Sequence, residues 1–131
     1  MNNLKTIYLV DDDQDDRFFI REAIQECGAN ATIIEIENGS DLLTLVKKAC
    51  DPAVSVIIID MNMPKMNGLE TVSAIRMDSR FSEMPVVMLS TSSNPILIQT
   101  AYDSGVSHFV TKPSTFDEFA ELAVNIRDRY L

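Results

Sequence analysis

A doubly wound α/β domain is what this sequence predicts, and three observations predict it. Short β-branched apolar runs alternate with helix-period segments. Two of the runs, 54–59 and 85–89, are apolar but for Ser55, as strands covered on both faces are. The connections between elements are short. Parallel strands joined through helices need right-handed crossovers, so five such units place helices on both faces of one sheet. At 131 residues and 46% apolar composition, the chain can bury one hydrophobic core and is too short for two ordinary domains.

The elements follow in order. Residues 5–10 form an apolar strand that stops abruptly in acids, and Ile20, Ala23, Ile24 and Cys27 then repeat at helical spacing before Gly28. Residues 32–37 read as the second strand. Ser40 is placed to cap a helix whose buried face would be Leu42, Leu45, Val46 and Ala49. Pro52 resets the chain, and the third strand, 54–59, delivers Asp60 at its end. A helix is expected from about Gly68 through Met77. After the fourth strand, 85–89, Asn94-Pro95 supplies an N-cap and first helical position, and Gly105 closes that helix. A short fifth strand, 108–110, leads to a last helix opened by the capping-box spacing Thr115-x-x-Glu118 and burying Phe116, Phe119, Ala120 and Ala123. No repeat, linker or low-complexity tract interrupts the alternation. A single domain over residues 1–131, with no output domain in the chain, is therefore expected.

Charge narrows the function classes. Twenty acidic residues against eleven basic give a net charge of −9, which repels nucleic-acid backbones and anionic lipid, so direct binding to either is not expected. No apolar stretch is long enough for a membrane span and the polar opening has no signal-peptide core, so a cytoplasmic location is expected. Cys27 and Cys50 lack CxxC spacing and read as buried thiols.

In a doubly wound sheet, functional groups gather beyond the carboxyl ends of the strands. Here those ends carry Asp11-Asp12-Asp13, Asp60, Ser90-Thr91 and, after Thr111, Lys112-Pro113. Carboxylates converging without partners repel and raise one another's pKa values, so a divalent cation is the simplest compensation, and all-oxygen ligands suit Mg²⁺. A carboxylate such as Asp60 can then attack phosphorus, with the Lys112 ammonium offsetting charge on the transferring oxygens. A hydroxyl such as Ser90 can donate to a phosphoryl oxygen and draw its loop inward.

With these residues in order, the chain resembles the receiver domain of bacterial response regulators, the family of the chemotaxis protein CheY. The features that carry the resemblance are the acidic pair, the segment Asp60-Met61-Asn62-Met63-Pro64 with Gly68, the hydroxyl after strand four and Lys112-Pro113. They span essentially the whole chain and are specific only jointly. The resemblance implies a flavodoxin-like strand order 2-1-3-4-5. It implies Mg²⁺ held by Asp11, Asp12, Asp60 and the Asn62 backbone carbonyl, and phosphoryl taken by Asp60 from a histidine kinase or phosphotransfer protein. Lys112 would contact the phosphate, Ser90 would be the switch hydroxyl, and Phe109 would stand where the family carries a switch aromatic, able to signal only by packing. A protein partner would be engaged through the face of helix four, strand five and helix five. The chain would be a phospho-accepting switch that catalyses its own phosphorylation and slow dephosphorylation rather than a turnover enzyme.

Several of these residues have plainer readings. Asp13 is expected to cap the first helix, with Asp15 and Asp16 as first-turn acids outside the site. Isolated, Asp60 or Ser90 would be a turn residue and Lys112 a surface charge. His108 is assigned no role, and Met61, Met63, Met66, Met84 and Met88 read as adaptable packing. Asp11, Asp13, Asp15 and Glu22 match positions of a calcium-binding EF-hand loop, but Asp16 stands where the turn glycine belongs and a strand-type run precedes it. Two rival functions remain: a receiver-like scaffold that binds without phosphorylation, and a metal-dependent aspartyl phosphohydrolase. The second commonly places another acid two residues after its nucleophile, where this chain has Asn62.

Overall fold

The computed structural model describes residues 5–48 and 54–131. Five parallel strands, β1 Lys5–Val10, β2 Ala31–Ile36, β3 Val56–Asp60, β4 Val86–Ser90 and β5 His108–Thr111, form one sheet in the order β2-β1-β3-β4-β5. Five helices alternate with them: α1 Gln14–Glu26, α2 Gly39–Lys48, α3 Gly68–Arg76, α4 Pro95–Asp103 and α5 Phe116–Tyr130. The predicted class and strand order are both observed. A 3-10 turn, Ser79–Phe81, absent from the expected elements, inserts the fully buried Phe81 beneath α3.

The period-two alternation of the strands sorts the core into two layers. Tyr8, Val10, Ile57, Ile59 and Met88 pack with Leu42 and Val46 of α2, Val72 and Ile75 of α3, and Ala101 of α4. On the opposite face Ile7, Leu9, Ile58 and Leu89 pack with Ile20 and Ile24 of α1 and Leu122, Ala123 and Ile126 of α5. Both central strands, β3 and β4, are buried along their whole length, which is why they read as unbroken apolar runs.

Several expectations shift by small, explicable amounts. The second and third strands move to Ala31–Ile36 and Val56–Asp60, so Asp60 is the last strand residue, paired with Leu89, rather than the one after it. The cap of α2 is not Ser40, which lies inside the helix. The Asn38 side chain accepts from the Asp41 N–H at 2.7 Å and satisfies one orphan donor. Leu45 and Cys27 are only partly buried. Ala49 and Cys50 lie outside the described residues. In α5, Phe116 (85% exposed) and Ala120 face outward. The stripe 116, 119, 120, 123 has the right spacing, but the one that meets the sheet is rotated on to Leu122, Ala123 and Ile126, leaving Phe119 at its margin. Thr115 does cap α5, accepting from the Glu118 N–H at 3.1 Å, while the Glu118 carboxylate accepts from the Ser114 N–H at 3.2 Å.

Candidate functional site

Strand register decides which polar side chains meet. Val10 pairs with Ile59 and Asp60 with Leu89, so Asp11 and Asp60 emerge side by side at the carboxyl edge. One oxygen from each of Asp11, Asp12 and Asp60 falls within 4.8 Å of the others. Asp11 and Asp60 are buried, 1% and 3% exposed, while Asp12 opens to solvent. Local structure fixes each end. The Asp11 N–H donates to the Ile36 carbonyl, and its Oδ1 accepts from the Asp13 N–H at 2.9 Å. The guanidinium of Arg17, itself buried, donates to the Asp11 carbonyl and pairs with Glu35 at 3.0 Å, tying α1 and β2 to the end of β1.

After Asp60 the chain turns under tight control. Gly68 donates its N–H to the Met61 carbonyl, and a Cβ there would meet the Asp60 carbonyl oxygen at 2.7 Å and Met61 Cα at 2.9 Å. Only a residue without a side chain allows α3 to start this close to the end of β3. Asn67 and Glu70 form a full capping box at that helix start. Asn62 is exposed, and its N–H hydrogen-bonds the Asp60 carboxylate.

Lys112 closes the arrangement. Its N–H donates to the Ser90 carbonyl at 2.7 Å, joining the ends of β4 and β5. Its ammonium stands 3.3 Å from Asp11 Oδ2, 3.4 Å from Asp60 Oδ1 and 2.8 Å from Asp16 Oδ2. By sequence Asp16 is expected outside the site. It is a first-turn acid of α1, but the turn begun at the Asp13 cap aims its carboxylate at Lys112, a contact that no local spacing advertises. Ser90 is fully buried at the end of β4, its Oγ accepting from the Ser92 N–H at 3.1 Å. Phe109 is half-buried against the α2/α3/α4 layer, and its N–H donates to the Tyr102 hydroxyl at 3.1 Å. His108 stays on the strand, apart from this group.

The electrostatics are strained in a defined direction. Burial, then the charge of Asp11, pushes the Asp60 carboxyl up to about 6, against the opposing pull of Lys112 and the Asn62 N–H. Burial likewise raises Asp11. Lys112 would be lowered by burial, but its hydrogen bond to Asp16 and the charges of Asp11 and Asp60 outweigh that and raise it. Even so, Asp11 Oδ2 and Asp60 Oδ1 are buried and accept no well-formed hydrogen bond. Two buried carboxylates that share one ammonium, itself held closest by Asp16, leave an excess of buried negative charge that costs free energy unless a cation offsets it. The donor set therefore fits a small, hard, oxygen-seeking dication.

The chain belongs to the response regulator receiver domain family, which matches residues 7–124. A chemotaxis protein CheY homolog of Campylobacter jejuni is 34% identical over 109 residues, 83% of this chain and 82% of that one. Among solved structures, the phosphorylated cyanobacterial phytochrome response regulator RcpA is 27% identical, with a TM-score of 0.86 over 97% of this chain and 94% of the other. Vibrio cholerae chemotaxis protein CheY4 is 28% identical, with a TM-score of 0.80 over 98% and 99%. The chain is thus a CheY-like receiver of two-component signalling. Among the described residues, no helix is long and apolar enough to cross a membrane.

Proposed function

We propose that this receiver is switched by Mg²⁺-dependent transfer of a phosphoryl group to Asp60 from a histidine kinase or phosphotransfer protein. The observation that carries the reading is the pair of buried carboxylate oxygens, on Asp11 and Asp60, that share one lysine ammonium at 3.3 and 3.4 Å and accept no well-formed hydrogen bond. Asp11, Asp12, Asp60 and the Asn62 carbonyl would hold the ion. When bound, Mg²⁺ would neutralise carboxylate charge and polarise the phosphoryl oxygens. The Asp60 oxygen forms the new bond to phosphorus, the donor's bond to phosphorus breaks, and the leaving group departs with the electron pair. Lys112 offsets charge on the transferring oxygens. The RcpA relative is phosphorylated, which supports the same chemistry here.

The buried Ser90 hydroxyl would reach a phosphoryl oxygen by movement of the loop after β4, and half-buried Phe109 would repack in response. That couples the site to the face of α4, β5 and α5, where Ile96 is 78% exposed and Tyr102 is also exposed, an apolar surface suited to a protein partner. Intact-mass measurement after incubation with acetyl phosphate and Mg²⁺ tests the core of this reading. One phosphoryl adduct is expected on the wild type and none on Asp60→Asn or in EDTA. Folded wild type that takes no adduct from either acetyl phosphate or phosphoramidate would instead be a phosphorylation-independent scaffold. Repeated turnover of small phosphate esters would make it a phosphohydrolase.

A further inference from the structure

Three carboxylates surround the Lys112 ammonium, and they do not share it equally. Asp16 Oδ2 lies at 2.8 Å, against 3.3 Å for Asp11 Oδ2 and 3.4 Å for Asp60 Oδ1. The two distant oxygens are the buried ones that accept no well-formed hydrogen bond. Asp16 stands outside the converging trio of Asp11, Asp12 and Asp60 and is partly exposed. The closest pull on the ammonium therefore comes from a carboxylate that is not among those facing the proposed reaction. An ammonium is a compact point charge on a flexible stem, so its resting place follows its best acceptor.

We propose that Asp16 is the resting partner of Lys112 and a positioning residue for phosphoryl acceptance: the lysine must pass from Asp16 to a phosphoryl oxygen as Asp60 is modified. The inference rests on the phosphoryl-accepting reading of Asp60 and concerns what controls its rate. The acyl phosphate would carry about −1.5 to −2 charge where the free carboxylate carries −1, and would offer three strong acceptor oxygens, enough to win the ammonium from one partly exposed carboxylate. Releasing Asp16 is a cost met on the way to that state, and Asp16 offers the lysine a home again when the phosphoryl leaves. Asp16 thus slows acceptance and favours the unmodified form.

The test is the initial rate of adduct formation, by intact mass with acetyl phosphate and Mg²⁺, in wild type, Asp16→Asn, Asp16→Ala and Asp15→Asn. Both Asp16 variants should gain roughly three- to tenfold, the range expected when one charge-assisted contact no longer competes. Asp15→Asn removes the same charge from the neighbouring exposed residue and should keep the wild-type rate. In ¹⁵N-lysine-labelled protein, the Lys112 ammonium signal should move in Asp16→Asn before any donor is added, and should move in the wild type as the adduct forms. The isosteric Asp16→Asn carries the test should the alanine variant fold poorly. Asp16 variants that match or fall below a phosphorylating wild type overturn the proposal and leave the receiver chemistry standing. So does an equal gain in Asp15→Asn, which would mean general charge repulsion. A wild type that takes no adduct sinks the receiver chemistry first, and this inference with it.

Discussion

Along β3, Val56, Ile57, Ile58 and Ile59 are fully buried, and so, at 3% exposure, is Asp60. The four apolar residues gain from burial against two helical layers. Asp60 loses by it, because the same desolvation opposes its charge and pushes its carboxyl up to about 6. One residue separates a segment that stabilises the fold from one that draws on that stability. The contrast shows how the site is built: the rigid centre of the sheet holds side chains where their own electrostatics would drive them apart.

The largest expected effect breaks the favourable half. Ile58→Ala, which leaves a cavity between β3 and the α1/α5 layer, should cost about 3–4 kcal/mol in denaturant unfolding. Gly68→Ala acts at the boundary. Its new Cβ would press on the Asp60 carbonyl and Met61 Cα, so about 1–3 kcal/mol of stability should be lost. Calorimetric Mg²⁺ titration should show weakened affinity, and an unchanged affinity would mean that the close approach serves packing alone.

A smaller effect of opposite sign sharpens the other half. Asp60→Asn removes the disfavoured charge and should raise the stability of the metal-free chain at pH 7 by about 1–2 kcal/mol, a rise of several degrees in melting temperature. The sign follows from linkage. With its folded pKa raised from 3.8 to about 6, Asp60 binds its proton more tightly in the native state, so its stabilising contribution is complete below about pH 4 and is lost as pH rises through 6. The gap in melting temperature between Asp60→Asn and wild type should therefore open between about pH 4 and 6 and stay constant above. Saturating Mg²⁺ should narrow it by stabilising the wild type. A gap independent of pH would mean that Asp60 is not strained. Smallest of all, Phe116→Ser on the exposed first turn of α5 should change stability by no more than about 0.5 kcal/mol, read in the same melts.

Much of this molecule was legible in one dimension because its central strands are buried on both faces and its helices carry local punctuation. Asn94-Pro95 opens α4, Thr115 opens α5, and Gly105 follows the end of α4 with a φ of 107°. The errors fell where neighbours decide. Ser40 and Asn38 are both adequate caps by chemistry, and only the path out of β2 selects Asn38. Phe116 and Ala120 share a helical stripe with Phe119 and Ala123, and only the rotation of α5 against the sheet turns them outward. Phe116 joins Phe18, Phe19 and Phe119 around an open groove between α1 and α5, an apolar surface that the reading of the chain did not anticipate.

The sequence by itself determined the alternation of strands and helices, the class of fold and the identity of the polar residues at the strand ends, because period, caps and β-branched runs are local properties. Tertiary structure alone decided that Asp11 and Asp60 are buried with unsatisfied oxygens, that Arg17 anchors the end of β1, and that Asp16 takes the closest hold on Lys112. Those facts depend on strand register and on the angle at which α1 leaves the sheet, and distances between residues far apart in the chain are set only when the core closes around them.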